Sequence, residues 1–335
     1  MKASYELETP VFGMYFCGGK GFTIDNVEFL PNDEFWKKYL RNQYSFASAR
    51  DLMEEHLLEQ EHQCAGIACV RWLGFEEGLD KAVLITKEML HDYSILLSFA
   101  HGHHVPFGTT LICYEGVGPN RKWSSTRGFM GRFGTPGIRP LNIVGSGIEA
   151  FLKNCFPLIR DSGFVERTQL KTAMIWYNQV ECFESVFQTQ FAFLWTALEI
   201  LAGAYADCRN NLELQSANRI DEIRARFSRL LEEMNVQQID SWVAKITKWT
   251  LAIDRAKELL KKYGLSQYED ELRPLYDLRN AIVHGRSVQV NKENIDKRFK
   301  LRKIIEKLIL TMLQFYDRKD LIHSGITNEN LLAVS

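Results

Sequence analysis

The sequence predicts an α+β protein in two parts: a mixed strand-and-helix domain over residues 1–150, followed by an all-helical domain over residues 151–335. The first part holds 17 of the 22 glycines, and seven of the eight prolines lie at or before Pro157. Glycine and proline mark turns and interrupt helices. From Ile148 onward, apolar residues recur with the 3.6-residue period of amphipathic helices. We therefore expect strands and turns in the first domain and a helical bundle in the second.

Short runs of aromatic and β-branched residues between turn signals predict the strands of the first domain. These runs cover residues 11–16, 22–29, 67–72 and 109–114. Two helices are also predicted in this domain, over residues 47–60 and near 86–100. The first domain is thus expected to combine a sheet with helices.

The second domain is predicted to be an up-and-down bundle with short connections. Its helical segments lie near residues 149–160, 167–206, 218–234, 240–263, 272–284 and 293–318. Pro274 either opens its helix in the first turn or kinks it. The nearly uncharged stretch 185–206 has the length of a membrane span, but Glu199 at its centre would be costly in a bilayer. We expect a buried bundle helix there and no membrane association.

Composition bounds the function further. The formal net charge of −1 excludes a generally basic coat for nucleic acid, so any RNA-binding surface must be local. Seven scattered cysteines form no disulfide framework, which favours reduced thiols in the cytoplasm. The first residues lead into no apolar segment, so we expect no signal peptide.

The segment from Leu278 to Gly285 reads LRNAIVHG and carries the most chemistry. It places the guanidinium of Arg279, the carboxamide of Asn280 and the imidazole of His284 on one short helix. Arginine matches phosphate oxygens with a fixed fork of donors, and histidine moves protons near neutral pH. Together they can bind a phosphodiester and take a proton from a ribose 2′-OH without a metal.

Helix geometry leaves two interpretations of this segment. At about 100° per residue, Asp277, Asn280 and His284 share one polar face, while Arg279 lies about 140° from His284. Gly285 is expected to cap the helix and to allow its last turn to distort. In the alternative interpretation, Arg279 is a structural ion-pair residue and His284 is a helix-end histidine whose hydrogen bonds are satisfied within the fold.

The same Arg-to-His spacing occurs again over residues 318–323, so spacing alone is weak. The second occurrence lacks the Asn after Arg and lies where a helical pattern ends. The segment around Arg279, by contrast, is flanked by predicted helices on both sides.

Arg279 and Asn280, followed by three residues and His284, resemble the signature of the HEPN superfamily of helical ribonucleases. The flanking residues 275–278 and the closing His284-Gly285 are similar to its Apea-like branch. Residues 191–201, FAFLWTALEIL, resemble the early HEPN helix with its Ala-Leu-Glu core. The resemblance covers roughly residues 165–320, with a weaker match upstream.

This resemblance implies a metal-independent endoribonuclease whose catalytic residues are Arg279, Asn280 and His284, in a cleft composed by a homodimer. His284 would act as general base or general acid, Arg279 would stabilise the charge on the phosphorane, and Asn280 would orient the phosphate or the imidazole. Asp277, on the same face of the helix, would fix the tautomer of the imidazole, and Glu199 would be the second supporting residue. The products would carry 2′,3′-cyclic phosphate and 5′-hydroxyl ends.

The resemblance also implies a bacterial defence or growth-arrest effector, in which residues 1–150 sense a trigger or meet an inhibitor protein. The alternative is a catalytically inactive HEPN scaffold that binds nucleotide, RNA or a partner protein. An intact Arg279, Asn280 and His284 set favours the enzyme, since a scaffold has no need to retain it.

Glu199 is the only charged residue between Glu184 and Asp207, so it is expected inside the fold. A buried carboxylate needs a partner, and Arg279 is the natural one. Either the two pair, so that Glu199 holds Arg279 in position, or Glu199 serves the fold alone.

Two basic clusters are candidate RNA or trigger surfaces. Between Glu115 and Glu149 there is no acidic residue, and cations alternate with aromatics and glycines, as in single-stranded nucleic-acid sites. A second run follows the motif with eight positive and three negative residues, locally +5. An ordinary basic loop or hairpin and a solvated helix face are the respective alternatives. The candidate residues are Arg121, Lys122, Arg127 and Arg132 in the first cluster and Arg286, Arg298 and Arg302 in the second.

Histidines at 101, 103 and 104, and a histidine and cysteines at 62, 64 and 69, match no standard metal-binding spacing. The sequence also contains no Walker loop, dinucleotide fingerprint or nucleophile elbow. We therefore expect neither a metal nor a cofactor.

Overall fold

The computed structural model describes residues 3–14, 16, 19–31, 64–108, 110–116, 122–127, 147–182, 186–207, 225, 229 and 252–315. The predicted helix over 47–60 lies outside these residues, as does all of the predicted segment 218–234 except 225 and 229. The described residues divide into two compact units: the first holds those up to Arg160 together with 181 and 182, and the second holds Asp161–Val180 and those from 186 to 315. The predicted α+β class is confirmed, with an N-terminal antiparallel sheet and helices.

The first unit is built on a six-stranded antiparallel sheet in the order β2-β3-β4-β1-β5-β6. Strand β1 pairs with both β4 and β5, so that Glu8 lies opposite Cys69 on one side and Ile112 on the other. The strands are β1 Ala3–Phe12, β2 Phe22–Ile24, β3 Val27–Pro31, β4 Cys64–Phe75, β5 Thr110–Glu115 and β6 Lys122–Arg127.

The first strand begins earlier than the sequence predicts. We predicted a strand over 11–16, whereas β1 covers Ala3–Phe12. Its two glutamates make it look unlike a buried strand, but both are accommodated: Glu6 Oε2 accepts a bond from Arg71 Nε at 3.1 Å, and Glu8 is buried. The prediction missed these residues because their partners are distant in sequence.

The predicted strand over 22–29 is a hairpin of β2 and β3. Asp25 has φ of +49° in the two-residue turn, and the strands pair from Phe22 with Phe29 to Ile24 with Val27. Positive φ favours glycine, aspartate and asparagine, which explains why Asp25 can turn the chain here.

Two helices complete the described part of the first unit: α1 Leu79–His101 and α2 Gly147–Arg160. They pack through aromatic residues, since the rings of Tyr93 and Phe156 stack with centroids 3.9 Å apart. Helix α1 ends at His101 and is capped by Gly102, which adopts φ of +69°. The sequence predicts a domain boundary near residue 150, whereas α2 belongs to the first unit and ends at Arg160.

The described residues of the second unit are helical and contain no strand. Its helices are α3 Ser162–Thr168, α4 Leu170–Cys182, α5 Phe187–Asp207, α6 over 252–262, α7 Leu272–Val283 and α8 Lys292–Met312, with a 3-10 turn at Ser266–Tyr268. Helix α7 contacts α5 and α8, which also contact each other. Their buried leucines and isoleucines form a core that fixes the position of the motif helix.

The single helix predicted over 167–206 is interrupted. Gln169 has φ of +51° and separates α3 from α4, and α5 begins at Phe187. Within the described part of the chain, no helix is both long enough and apolar enough to span a membrane.

Candidate functional site

The motif helix α7 is fixed at its start by its apolar side. Pro274 is the third residue of the helix, within the first turn, where its missing N–H has no helical partner to lose. Leu272, Leu275 and Leu278 are buried. The first of the two alternatives for Pro274 is therefore correct, and the apolar side orients the polar residues of the motif.

A glycine ends the motif helix and sets the position of His284. Gly285 has φ of +64°, and its N–H donates to the carbonyl of Ile282 at 3.1 Å. The N–H of Arg286 donates to the carbonyl of Ala281 at 2.9 Å. This pair of bonds is the Schellman arrangement, which satisfies the last carbonyls of a helix. His284 consequently occupies the C-cap position. Gly285 follows it and closes the helix with its positive φ, which confirms the predicted role of this glycine.

Arg279 is paired with Glu199 across helices α7 and α5. Arg279 Nη2 lies 3.5 Å from Glu199 Oε1, and the two side chains are 22% and 36% exposed. The same Glu199 oxygen accepts a bond of 2.7 Å from the indole Nε1 of Trp195. Of the two interpretations of Glu199, the structure shows the paired one, although the carboxylate is less buried than its apolar surroundings in the sequence predict.

Asn280 holds the other side of the guanidinium. Arg279 Nη1 donates to Asn280 Oδ1 at 3.2 Å. Among the described residues, Asn280 and Glu199 accept from two of the five guanidinium N–H donors. The structure therefore brings together Glu199, Arg279 and Asn280 of the predicted site.

Tyr276 lies beneath this group on α7. Its side chain is buried, its ring centroid is 5.7 Å from that of Trp195, and no hydrogen bond of normal geometry joins its hydroxyl to a described residue. Burial raises the pKa of the Tyr276 hydroxyl above its ordinary value, while the nearby Asn280 side chain and Arg279 lower it. The Tyr276 hydroxyl therefore remains protonated at neutral pH.

His284 and Asp277 occupy different surroundings from Arg279. His284 is exposed at the end of α7, five residues or about 7.5 Å along the helix axis from Arg279. Asp277 Oδ1 lies 3.4 Å from Arg273 Nε in a largely exposed ion pair. Asp277 is thus engaged on the outer surface of the helix, and its predicted role in fixing the imidazole stays a prediction.

The second basic cluster is only partly open to a ligand. Arg286 is exposed, while Arg298 donates to Gln190 and lies over the Phe299 ring. Arg302 is 13% exposed, and its Nε lies 2.6 Å from Glu306 Oε1 and 3.0 Å from the Tyr177 hydroxyl. These contacts hold Arg302 within the fold, and its predicted contact with RNA stays a prediction.

The first basic cluster proves to be partly a strand. Lys122 and Arg127 are the first and last residues of β6, which pairs with β5 so that Lys122 lies opposite Glu115 and Arg127 opposite Thr110. Residues 122–127 therefore form a hairpin with β5, and the predicted contact of this cluster with RNA or a trigger stays a prediction. Arg121 and Arg132 lie outside the described residues.

The histidines near the end of α1 have backbone partners. His101 is buried with Nδ1 2.9 Å from the carbonyl oxygen of Leu97, and His103 Nε2 lies 2.7 Å from that of Gly13. In the described ranges, no three histidine, cysteine or acidic side chains are grouped so that they could hold a metal ion.

Sequence reasoning missed Trp195 and Tyr276 as members of the site. Both look like ordinary core aromatics, because they lie on apolar helix faces. A signal existed in their spacing: Trp195 precedes Glu199 by one helical turn, and Tyr276 precedes Asn280 by one turn, and residues four apart on a helix are neighbours.

Comparison with known proteins found no matching family model, no similar curated protein and no similar solved structure.

Proposed function

We propose that this protein is a metal-independent endoribonuclease of the HEPN type that acts in the cytoplasm. The observation that carries the proposal is the guanidinium of Arg279, held between Glu199 and Asn280 on the helix that ends in an exposed His284. The resemblance of residues 165–320 to that superfamily supports it, as does the helical character of the second unit.

The roles of the three residues follow from their chemistry. His284 takes the proton from the 2′-OH of the ribose or gives one to the leaving 5′-oxygen. Arg279 stabilises the negative charge that develops on the phosphorane oxygens, where preorganised donors have their largest effect. Asn280 fixes the guanidinium from one side. Cleavage leaves a 2′,3′-cyclic phosphate and a 5′-hydroxyl.

A site composed by two copies fits the arrangement of these side chains. Arg279 lies about 140° around α7 from His284, and it is turned toward Glu199 on α5. One helix therefore presents the two groups in different directions. In a homodimer with facing α7 helices, the His284 of one copy can meet the Arg279 of the other in a single cleft.

In this proposal the protein is a defence or growth-arrest effector, and the sheet domain senses a trigger or binds an inhibitor protein. The strand β6, with a cation at each end, belongs to the surface proposed for that contact. Arg286 and Arg298 are the cations of the second cluster proposed to bind the RNA backbone.

A second candidate function is a catalytically inactive HEPN scaffold that binds nucleotide, RNA or a partner protein. It is favoured by the engagement of Arg279 with two protein partners and by its low exposure of 22%. A purely structural ion pair would have the same geometry. The enzyme remains the preferred proposal because the exposed end of the helix that carries Arg279 holds the imidazole of His284, which can move protons near neutral pH.

The test is incubation of the purified protein with total RNA in EDTA, followed by mapping of the product ends. We expect cleavage with 2′,3′-cyclic phosphate ends, no cleavage where the scissile nucleotide is 2′-deoxy, and none by His284→Ala. His323→Ala is the matched control, since His323 closes the second Arg-to-His spacing, which lacks the Asn after Arg. RNA that binds but is never cut by the wild-type protein would favour the scaffold.

A further inference from the structure

The indole of Trp195 is connected to the candidate site by a hydrogen bond. Trp195 is only 2% exposed, and its Nε1 donates to Glu199 Oε1 at 2.7 Å. An indole N–H is a donor only, and a buried one requires an acceptor. Because Glu199 lies one turn further along α5, the bond forms within a single rigid helix.

The same carboxylate oxygen receives Arg279. The Glu199 Oε1 atom lies 3.5 Å from Arg279 Nη2, so the oxygen that Trp195 holds is the one that contacts the guanidinium. The Trp195 ring packs beside the ring of Tyr276, at 5.7 Å between centroids and an angle of 50°. A ring confined in this way fixes the direction of its N–H and, through it, the orientation of the carboxylate.

We propose that Trp195 is a positioning residue, which acts through Glu199 to hold the Arg279 guanidinium in its catalytic orientation. This inference rests on the proposed ribonuclease function. The glutamate side chain has three rotatable bonds, and 36% of it is exposed. The ion pair alone, at 3.5 Å, leaves the carboxylate free to rotate, whereas the shorter bond from the rigid indole removes that freedom.

Trp176 provides the matched comparison. It lies on α4, 37% exposed, and its ring meets that of Phe193 edge-on with centroids 5.5 Å apart. It is therefore a tryptophan of the same unit that packs on an aromatic residue without belonging to the group around Arg279. Trp176→Phe controls for the loss of an indole as such.

The first test is a kinetic double-mutant cycle in the full-length protein. Trp195→Phe keeps an aromatic side chain and removes the five-membered ring with its N–H. We expect it to lower kcat by about 10- to 100-fold, since misplacement of a catalytic group has effects of this size, with KM changed by less than about threefold. In a Glu199→Ala background the same substitution should have no further effect, because the residue through which Trp195 acts is gone. Trp176→Phe should leave the activity unchanged.

A structural role for Trp195 would give a different result in that cycle. If Trp195→Phe slows the Glu199→Ala protein by the same factor as it slows the wild type, the two effects are independent and the positioning role is overturned. Residual activity in the Glu199→Ala background must be followed in single-turnover experiments at high enzyme concentration, so that the factor remains measurable.

A second test requires no activity. The protein contains seven tryptophans, so its nuclear magnetic resonance spectrum holds few indole N–H signals, and the one lost in Trp195→Phe identifies Trp195. We expect Glu199→Ala to shift this signal strongly and Arg279→Met to shift it less. A signal unmoved by Glu199→Ala would overturn the proposal even in an active enzyme. A shifted signal in a protein that cuts no RNA would instead overturn the proposed function and leave the bond itself established.

Discussion

The ion pair between Arg279 and Glu199 allows a prediction of stability whose size depends on burial. Breaking a fully buried pair costs about 3–5 kcal/mol, and breaking an exposed one about 0.2–1 kcal/mol. Here the side chains are 22% and 36% exposed and the atoms are 3.5 Å apart. After Arg279→Met, Glu199 also keeps its bond from Trp195 Nε1. We therefore expect this change to lower the free energy of unfolding by about 1–2 kcal/mol, less than burial of an isolated pair would imply.

The assay is urea denaturation of the wild type, Arg279→Met, Glu199→Gln and the double variant, with circular dichroism as the signal. We expect a coupling energy of about 1 kcal/mol between the two residues. Arg273 and Asp277 provide the control on the same helix, because their ion pair has a similar distance of 3.4 Å but is 70% and 59% exposed. Their coupling should stay below about 0.5 kcal/mol.

Two outcomes would refute this reasoning. Zero coupling between Arg279 and Glu199 would show that the pair contributes nothing to stability in solution. A coupling above about 3 kcal/mol would show that the carboxylate is fully buried, contrary to its exposure in the structure. In either case, RNA cleavage by Arg279→Met at the wild-type rate would independently remove Arg279 from the catalytic set.

Three further predictions address other parts of the molecule. Tyr93→Phe should raise the free energy of unfolding by up to about 1 kcal/mol, because the buried Tyr93 hydroxyl has no hydrogen-bond partner among the described residues. Burial raises the pKa of the Tyr93 hydroxyl; Asp25 raises it further by a smaller amount, and Arg160 lowers it. Above about pH 10 this hydroxyl therefore ionises only in the unfolded state. Wild-type stability should then fall with rising pH more steeply than that of Tyr93→Phe in urea melts, and parallel curves would contradict this. Tyr177→Phe should cost about 1–2 kcal/mol in the same melts, because its hydroxyl bonds to both Glu306 and Arg302, and an unchanged midpoint would contradict that network. Replacing Arg127 and Arg132 with Ala should weaken RNA binding or the response to the trigger. The affinity for RNA should depend less steeply on salt concentration, and the cleavage rate at saturating RNA should be normal. An unaltered salt dependence would indicate an ordinary hairpin and loop without a binding role.

Local features of the motif helix could be read from the sequence. The apolar spacing of its leucines, Pro274 in its first turn and Gly285 after its last turn together indicate a helix over 272–284, and α7 covers Leu272–Val283. These signals are local, since each depends on residues within a few positions. The sequence does not predict the hairpin at Asp25 or the break at Gln169, because both use positive φ at residues other than glycine.

The features that the sequence did not predict depend on contacts between residues that are distant in sequence. Arg302 resembles a surface cation in a basic run, and only the fold reveals Tyr177 as its partner, 125 positions earlier. The sequence of the segment 122–127 resembles a basic loop, and only the structure shows that it pairs with β5 as a strand. The pairing of Arg279 with Glu199 could be suggested, because Glu199 is isolated in an apolar stretch, but its partial exposure could not. Charge and glycine content describe a segment by itself, whereas burial depends on what packs against it.

The central claim is that Arg279 and His284 cut RNA without a metal, and the single-turnover cleavage rate in EDTA tests it most directly. One RNA oligonucleotide is cut by the wild type and by His284→Ala, after equal melting temperatures have shown that both are folded. Loss of general acid–base catalysis should lower the rate by about 100- to 10,000-fold, and the wild-type products should end in 2′,3′-cyclic phosphate. Equal rates for the two proteins, or cleavage that EDTA abolishes, would contradict the account.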